Sequence, residues 1–209
     1  MISEDVIKGY KEKIHDILMR DFVAFWEEKS VDKRFGGYLC GFDCEGGLFY
    51  EDKSVWQQGR SLWMFSKLYN EFGQKKVWLD AAKSGYDFIN KYCFSESGHM
   101  YFRVTRDGKP LVERRYYFSE AFAVMGYAEY YKATGDAEVK RRAVELYDRL
   151  IKYYTTPGCF PPKVNPQTRR RLGHSIVMIV MNVSQCMREI DDNPRYSEMT
   201  DRCIEIIRK

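Results

Sequence analysis

The 209-residue chain is long enough to bury a substantial core, and its net charge of +4 is spread along the sequence. Hydrophobic residues make up 44% and charged residues 31% of it, as in an ordinary globular protein, whereas the aromatic share of 16% is high. The one dense basic run, three arginines at 169–171, is too short for a nucleic-acid-binding stripe, and no apolar run approaches the roughly 20 residues of a membrane span. We therefore expect neither nucleic acid nor a membrane as a partner.

Six cysteines and an acidic, amphipathic N-terminus favour a cytoplasmic protein. The first residues lack the apolar core of a secretory signal, so the cysteines are expected to be reduced. Cys40 and Cys44 are four apart, but no second Cys or His pair follows at the spacing of a zinc site. The chain also has no P-loop, dinucleotide glycine fingerprint, nucleophile elbow or metal-binding helix motif, so we expect no metal and no cofactor.

In chain order, the first half of the sequence predicts a helix, a hairpin and a helical pair. Apolar residues recur at helical spacing over 2–29, after Ser3 as the N-cap. Residues 35–51 alternate and contain Gly pairs, which predicts a β-hairpin that turns at 45–47. A helix follows over about 54–72 and ends with Gly73 in the C′ position, and its partner covers about 75–93.

The second half predicts the same plan. A hairpin turns at 107–108, and helices are predicted over about 116–134 and 137–153, the latter capped by Asp136. Prolines exclude a helix over 155–171, and a third helical pair covers about 173–190 and 194–208. No linker interrupts the sequence, so residues 1–209 are predicted to form one domain.

An internal repeat explains this plan. The stretch that starts at 37 aligns without a gap with the stretch that starts at 99, so that Trp56 falls on Phe118, and a weaker third copy places His174 on Phe118 as well. One such unit cannot bury its apolar face alone, which favours helical pairs stacked in a ring or solenoid, with hairpin loops at one end. About seven helices are predicted, an odd number for stacked pairs, so the ring is expected to be incomplete.

Polar residues on the helices that follow the hairpins are the candidates for a site. Arg60 stands where the second copy has Phe122, and it shares a helix face with Trp56 and Trp63. A guanidinium beside two indoles is suited to a hydroxyl-rich or carbonyl-bearing ligand. The same spacing is equally compatible with an arginine that stacks on tryptophan for packing alone.

Three further polar candidates lie on the two later helices of this kind, those predicted over about 116–134 and 173–190. Glu120 is placed to accept sugar hydroxyls or to pair with Arg114 or Arg115. His174 is suited to acid or base chemistry near neutral pH, or to a capping role, and Asn182 lies two turns further on. With phosphate and hydride chemistry disfavoured by the absent motifs, a carbohydrate-binding cavity remains.

The segment GGYLCGFDCEGGLFYEDKSVWQQGRSLWMFSKLY, with its Trp-Gln-Gln-Gly-Arg core, resembles the N-acylglucosamine 2-epimerase family. The segments FSEAFAVMGYAEYYKATGD and GHSIVMIVMNVSQ are similar to the next two parts of that family. The resemblance implies an all-α fold, an (α/α)6 barrel of helical hairpins with short β-hairpin loops. It also implies epimerisation at C2, or aldose–ketose isomerisation, of a reducing sugar such as N-acetylglucosamine, N-acetylmannosamine, cellobiose or mannose.

The resemblance also assigns residues. Arg60 matches the family arginine near the reducing end of the sugar and is the implied catalytic residue. The residues that fall on or near cavity-lining, substrate-binding positions are Tyr38, Trp56, Glu120, His174 and Asn182. In the implied mechanism the sugar ring opens, and the C2 proton leaves through a cis-enediolate and returns on the other face, with two histidines as acid and base.

The sequence departs from the family in length. Family members are about twice as long, their catalytic histidines lie in the second half, and His15, His99 and His174 match neither. We therefore predict an N-terminal half barrel with little or no epimerase activity alone, which associates with a C-terminal half or with a second copy through its exposed inner face. One alternative is an inactive sugar- or protein-binding module. Another is a helical-toroid hydrolase or lyase, which would need a second acid beside Glu120.

Overall fold

The computed structural model describes residues 2–113, 117–159, 165, 167–168 and 173–208, which are mostly helical. The first helical rod has three parts: α1, a π-helical segment, and α2. The helical elements are α1 Glu4–Ile17, the π-helical segment Leu18–Val23, α2 Ala24–Lys29, α3 Val55–Glu71, α4 Lys76–Tyr92, α5 Phe118–Thr134, α6 Ala137–Thr155, α7 His174–Arg188 and α8 Arg195–Ile207. Within these described ranges, no helix combines the length and the apolarity needed to cross a bilayer.

Two small antiparallel sheets lie between the helices. Their strands are β1 Gly41–Phe42, β2 Leu48–Tyr50, β3 Lys53–Ser54, β4 Arg103–Val104 and β5 Pro110–Val112. β1 pairs with β2 as the first hairpin, and β4 pairs with β5 as the second. β3 pairs with β4, with Lys53 opposite Val104, so backbone hydrogen bonds join the first repeat to the second.

The helices form an arc of three pairs, as the repeat predicts. α3, α5 and α7 stand side by side as the inner row, while α4, α6 and α8 each pack on the inner helix that precedes them. α5 is buried on nearly all sides, because inner helices flank it on both edges and outer helices cover its back. Counting the first rod once, the described part of the chain contains the seven predicted helices.

The predicted helix ends are confirmed where the sequence carries a capping residue. The Ser3 hydroxyl accepts the Val6 N–H, and the Asp136 carboxylate accepts the Glu138 N–H. α3 ends just before Gly73, whose φ is +115°. The predicted helix start at 116, the basic run at 169–171 and most of the proline-rich connection 155–171 lie outside the described residues, although α6 itself continues to Thr155.

The first hairpin is shorter than the alternating pattern over 35–51 predicts. Its strands begin only at Gly41, and the chain before them turns around Asp32, whose Oδ1 accepts the backbone N–H groups of Arg34 and Phe35. Gly36 and Gly37 have φ values of +77° and +67°, a left-handed conformation that interrupts an extended strand.

The inner helices α3 and α5 approach closely through two glycines. A Cβ added to Gly59 would lie 2.6 Å from the backbone carbon of Phe122, and one added to Gly126 would lie 2.8 Å from the Gly59 carbonyl oxygen. Only residues without a side chain permit this separation. Gly59 belongs to the Trp-Gln-Gln-Gly-Arg segment, so one part of that motif serves helix packing.

We predict that Gly59→Ala destabilises the protein by about 1–3 kcal/mol, because the new methyl group meets the backbone of α5. Gly9→Ala in α1 is the matched control: an added Cβ there has no neighbour within 4 Å. Alanine favours a helix over glycine by roughly 0.5–1 kcal/mol, so the control should raise stability. Urea unfolding followed by circular dichroism measures both changes. A stabilising Gly59→Ala would refute the close contact.

A buried ion cluster connects the loops of the first two repeats. The Lys53 ammonium donates to Asp32 Oδ2 at 2.9 Å and to the Gly36 and Arg106 carbonyl oxygens at 2.6 and 2.9 Å. The Arg106 guanidinium donates to both Asp32 oxygens, at 3.0 and 3.2 Å, and to Glu51. The side chains of Lys53 and Asp32 are fully buried, so each charge depends on the other.

This cluster predicts acid sensitivity. Burial alone would raise the pKa of Asp32, but hydrogen bonds from Arg106, Lys53 and the Arg34 N–H outweigh it and lower the pKa to about 2 from the ordinary 3.8. Since the folded pKa lies below the unfolded one, the stabilisation is complete above about pH 4 and is lost as the pH falls to about 2. A ¹³C NMR titration of the Asp32 carboxyl should have its midpoint near pH 2. A midpoint near 3.8 would contradict the cluster.

Candidate functional site

A cleft of about 400 Å³ opens beside α3. One wall is α3 itself, and α2 and the segment before β1 each add one residue. The lining side chains combine two indoles, a thioether, a thiol and three polar groups: Trp26, Cys40, Gln57, Arg60, Ser61, Trp63 and Met64. Flat aromatic faces beside hydrogen-bonding groups are suited to a ligand with apolar C–H faces and many hydroxyls.

Arg60 is the cationic group of this cleft. Its guanidinium carbon lies 4.2 Å from the centre of the Phe122 ring, and its side chain is exposed to solvent. No ion pair joins Arg60 to a carboxylate of the described residues, so the Phe122 ring supports the guanidinium and its N–H groups stay available to a ligand. Arg60 and Phe122 occupy the same position in the two repeats, and the structure brings them into contact.

Trp56 packs against the Phe122 ring on which Arg60 lies. Its indole packs against Phe102, Phe118 and Phe122, with ring centres 5.1, 5.2 and 6.0 Å away. The indole N–H is buried and finds no acceptor among the described residues. Trp56 therefore lies next to the cleft, in an aromatic cluster with the ring that carries Arg60, while Trp63 is the indole of α3 that lines the cleft.

Tyr38 is fully buried, which places its side chain in the core instead of on the cleft surface. Its hydroxyl donates to the Ala81 carbonyl oxygen at 2.8 Å, and its ring stacks on Phe65. Its backbone N–H and C=O pair with the two ends of the buried Gln58 amide, each at 2.8 Å. This placement favours a supporting role, because Gln58 ties the backbone just before Cys40 to α3.

Glu120 is also fully buried, on α5. One carboxylate oxygen accepts the Met100 N–H at 3.1 Å, which ties the start of α5 to the loop before β4. The alternative partners Arg114 and Arg115 lie outside the described residues. The contact with Met100 favours a supporting role for this carboxylate as well.

His174 and Asn182 both lie exposed on α7. His174 is the first residue of the helix, and Asn182 is eight positions on, about 12 Å along the axis. The Asn182 amide oxygen accepts from the Cys186 thiol at 3.6 Å. Since α5 stands between α3 and α7, the structure places these two residues apart from Arg60 along the inner row.

The other two histidines lie away from the cleft. His15, on α1, stacks against Phe72 at the far end of α3, and His99 stacks against Tyr153 on the outer helix α6.

Five cleft residues were not among the sequence candidates: Trp26, Cys40, Gln57, Ser61 and Met64. Gln57 and Ser61 lie four positions apart and therefore share one face of α3. That face is next to the one that carries Arg60, and both line the cleft. Trp26 lies in the predicted first helix, for which the sequence indicated no ligand-binding role. Cys40 precedes a strand and gives no local signal. Burial raises the pKa of Cys40 to about 11, so the thiol stays protonated at neutral pH and acts as an apolar wall.

We predict a measurable coupling between Arg60 and Phe122. A double-mutant cycle with Arg60→Met and Phe122→Leu should give about 0.5–1 kcal/mol in the free energy of unfolding, as expected for a cation over an aromatic ring at a solvent-exposed site. Arg60→Lys paired with Phe122→Leu should retain part of it, because the charge remains. Additive single effects would show that the contact carries no energy.

Comparison with known proteins identifies a family. The family model for N-acylglucosamine 2-epimerase (GlcNAc 2-epimerase) matches residues 36–209. The chain is 31% identical to the N-acylglucosamine 2-epimerase of Homo sapiens over 209 residues, which covers 96% of this chain and 48% of that protein. It is 34% identical to the cellobiose 2-epimerase of Dictyoglomus turgidum over 144 residues, or 68% of this chain and 36% of that protein. The chain spans about half the length of the curated N-acylglucosamine 2-epimerases that it matches.

Solved structures confirm the fold class. The cellobiose 2-epimerase of Bacillus thermoamylovorans superposes with a TM-score of 0.84 at 19% identity, covering 95% of this chain and 55% of that one. A D-mannose isomerase superposes with a TM-score of 0.74 at 17% identity, covering 98% and 51%. These likenesses show the helical-pair architecture of an α/α barrel. Because the family match covers all but the first 35 residues, this chain belongs to the N-acylglucosamine 2-epimerase family.

Proposed function

We propose that this chain is the sugar-binding N-terminal half of an enzyme that inverts C2 of a reducing sugar, such as N-acetylglucosamine or N-acetylmannosamine. The observation that carries the proposal is the state of Arg60: a guanidinium seated on an aromatic ring, without a carboxylate partner among the described residues, at the edge of a cleft with two indoles. The family membership and the names of the relatives support the same chemistry.

The role proposed for Arg60 follows from where charge develops in this reaction. When a base removes the C2 proton of the open-chain sugar, the electron pair forms the C1–C2 double bond, and negative charge collects on the C1 oxygen. A guanidinium that donates hydrogen bonds to that oxygen stabilises the resulting enolate (an enediolate where C2 carries a hydroxyl) more than the neutral aldehyde. Reprotonation of C2 on the opposite face then yields the epimer, with no net change in atoms or electrons.

The other candidate residues have binding or supporting roles in this proposal. We assign the binding of further sugar hydroxyls to His174 and Asn182, because both are exposed on the third inner helix. Trp56 positions Arg60 through Phe122, Tyr38 supports the segment that carries Cys40 through its bonds to Gln58, and Glu120 ties the start of α5 to the loop before β4. By resemblance to the family, the acid and base histidines belong to the half of the ring that follows this segment.

We also propose how the arc is completed. α1 carries an apolar face that the described residues leave in solvent: Val6 and Ile7 are 46% and 45% exposed, and Tyr10 and Ile14 are each 63% exposed. Apolar patches of this kind mark interaction surfaces. The remaining helices of a full ring are the proposed occupant, and a self-associated pair of this chain is the competing outcome in a size measurement.

A cytoplasmic location fits the cysteines. All six are free thiols, and Cys93 and Cys203 are fully buried without a disulfide partner. We propose that the enzyme works in a reducing compartment.

The proposal predicts sugar binding that depends on Arg60. Titration of the folded chain with N-acetylmannosamine, mannose and cellobiose, followed by saturation-transfer NMR, should detect binding that Arg60→Ala weakens about tenfold, the loss expected for a charge-assisted hydrogen bond. Arg202→Ala, an exposed arginine on α8, removes the same charge away from the cleft and should leave binding unchanged. Equal binding by both variants would remove Arg60 from the site.

A second readout separates binding from chemistry. In D2O, deuterium should not appear at C2 of the bound sugar with this chain alone, since the acid and base groups are proposed to lie elsewhere. Deuterium incorporation that Arg60→Ala abolishes would show that the chain contains its own acid–base pair and would overturn this division of labour.

A further inference from the structure

We propose a second binding site on the outer side of the arc, for a small organic oxyanion. A groove of about 280 Å³ lies between the outer helices α4 and α6, on the opposite side of the inner row from the sugar cleft. This volume is near the lower end of the roughly 300–1,000 Å³ typical of small-molecule sites. The groove is lined by Asn90, Phe94, Gly98, Tyr127, Arg142, Glu145, Leu146 and Arg149.

Arg149 is the observation that carries the proposal. It is half-buried at the groove, and it donates to the Gly98 carbonyl oxygen. Among the described residues, no carboxylate lies within 4.0 Å of its guanidinium, although other arginines of α6 are paired: Arg141 with Glu138 and Glu145, and Arg142 with Glu138. A half-buried guanidinium with one carbonyl acceptor keeps donors for an anion.

Arg142 adds a second cation on the same face, since residues seven apart on a helix lie two turns apart in line. Its Nη1 donates to Asn90 Oδ1 at 2.8 Å, and that oxygen also accepts the Tyr127 hydroxyl at 2.8 Å. These bonds span the groove from α6 to α4 and hold Arg142 in place. Glu145, the acid of the lining, is paired with Arg141, so its charge is already compensated.

The other residues that line the groove indicate the chemical class of its ligand. Phe94 and Leu146 are apolar, and the ring of Tyr127 lies against the same space. The Arg149 guanidinium, with Arg142 as a second hydrogen-bond donor whose charge is shared with Glu138, therefore selects a phosphate or carboxylate, and the apolar wall selects a body with a flat or aliphatic face. A phosphate monoester or an aryl carboxylate meets both requirements, whereas a neutral sugar lacks the negative charge.

Calorimetric titration of the full 209-residue chain in 150 mM salt tests the site, with phenyl phosphate, benzoate, inorganic phosphate and phenol as probes. We expect saturable binding of phenyl phosphate or benzoate, weaker binding of inorganic phosphate and none of phenol. The preferred member of the first two identifies the oxyanion. No saturable binding of either at millimolar concentration would overturn the proposal.

Matched variants locate the binding. Arg149→Gln should weaken it about tenfold, and Arg142→Gln should do so independently if the first variant folds poorly. Lys152→Gln removes one charge from the exposed side of α6, outside the groove lining, and should have no effect. Equal losses in all three variants would indicate a diffuse charge effect and would overturn the site. Arg60→Ala is expected to leave phenyl phosphate and benzoate binding unchanged, and Arg149→Gln is expected to leave sugar binding unchanged, so the two proposals can fail separately.

Discussion

The separation between α3 and α5 is the constraint on which the candidate site depends. Gly59 allows the two inner backbones to approach until no side chain fits between them. This approach brings Phe122 of the second repeat under Arg60 of the first, and it brings Phe118 against Trp56. The motif that carries the family resemblance is thus divided between packing and chemistry. Gly59 sets the distance, Gln58 fixes the loop, and Arg60 faces the cleft.

Repetition makes such a division possible. Because each inner helix has an equivalent position beside its neighbour, an aromatic residue in one copy can support a polar residue at the same position of the copy before it. Arg60, Phe122 and Met178 occupy the same place in three successive copies, and only the first is cationic. The Arg60 guanidinium lies on Phe122, the residue at its own position in the second copy. This contact explains how the charge is accommodated on an inner helix without an ion-pair partner among the described residues.

Sequence periodicity was sufficient for the helical pairs, their caps and both hairpin turns, because these depend on contacts within a few residues. It was not sufficient to say which polar groups face the cleft. Tyr38 and Glu120 lie at positions that suggest a ligand, yet both are buried and bind backbone groups distant in sequence, at Ala81 and Met100. Such pairings depend on how loops fold over the ends of helices, and no local pattern records them. Trp26 was missed for the same reason, since nothing in its own helix indicates a cleft.

The π-helical segment Leu18–Val23 determines how the two ends of the first helical rod are rotated relative to each other. Its backbone bonds reach five residues back, as from the Ala24 N–H to the Met19 oxygen, so the segment accommodates one residue more than a regular turn. That residue rotates everything before it by about 100° relative to everything after it. Counting about 100° per residue, a regular helix would put Trp26 about 160° around the axis from Tyr10, and the extra residue brings it to about 60°. Phe25 and Trp26 pack against Phe42 in this orientation. Deleting a single residue from this segment would restore regular helical bonds and keep the two halves in their present orientation, whereas a regular helix through all six residues would turn one half against the other by about 100°.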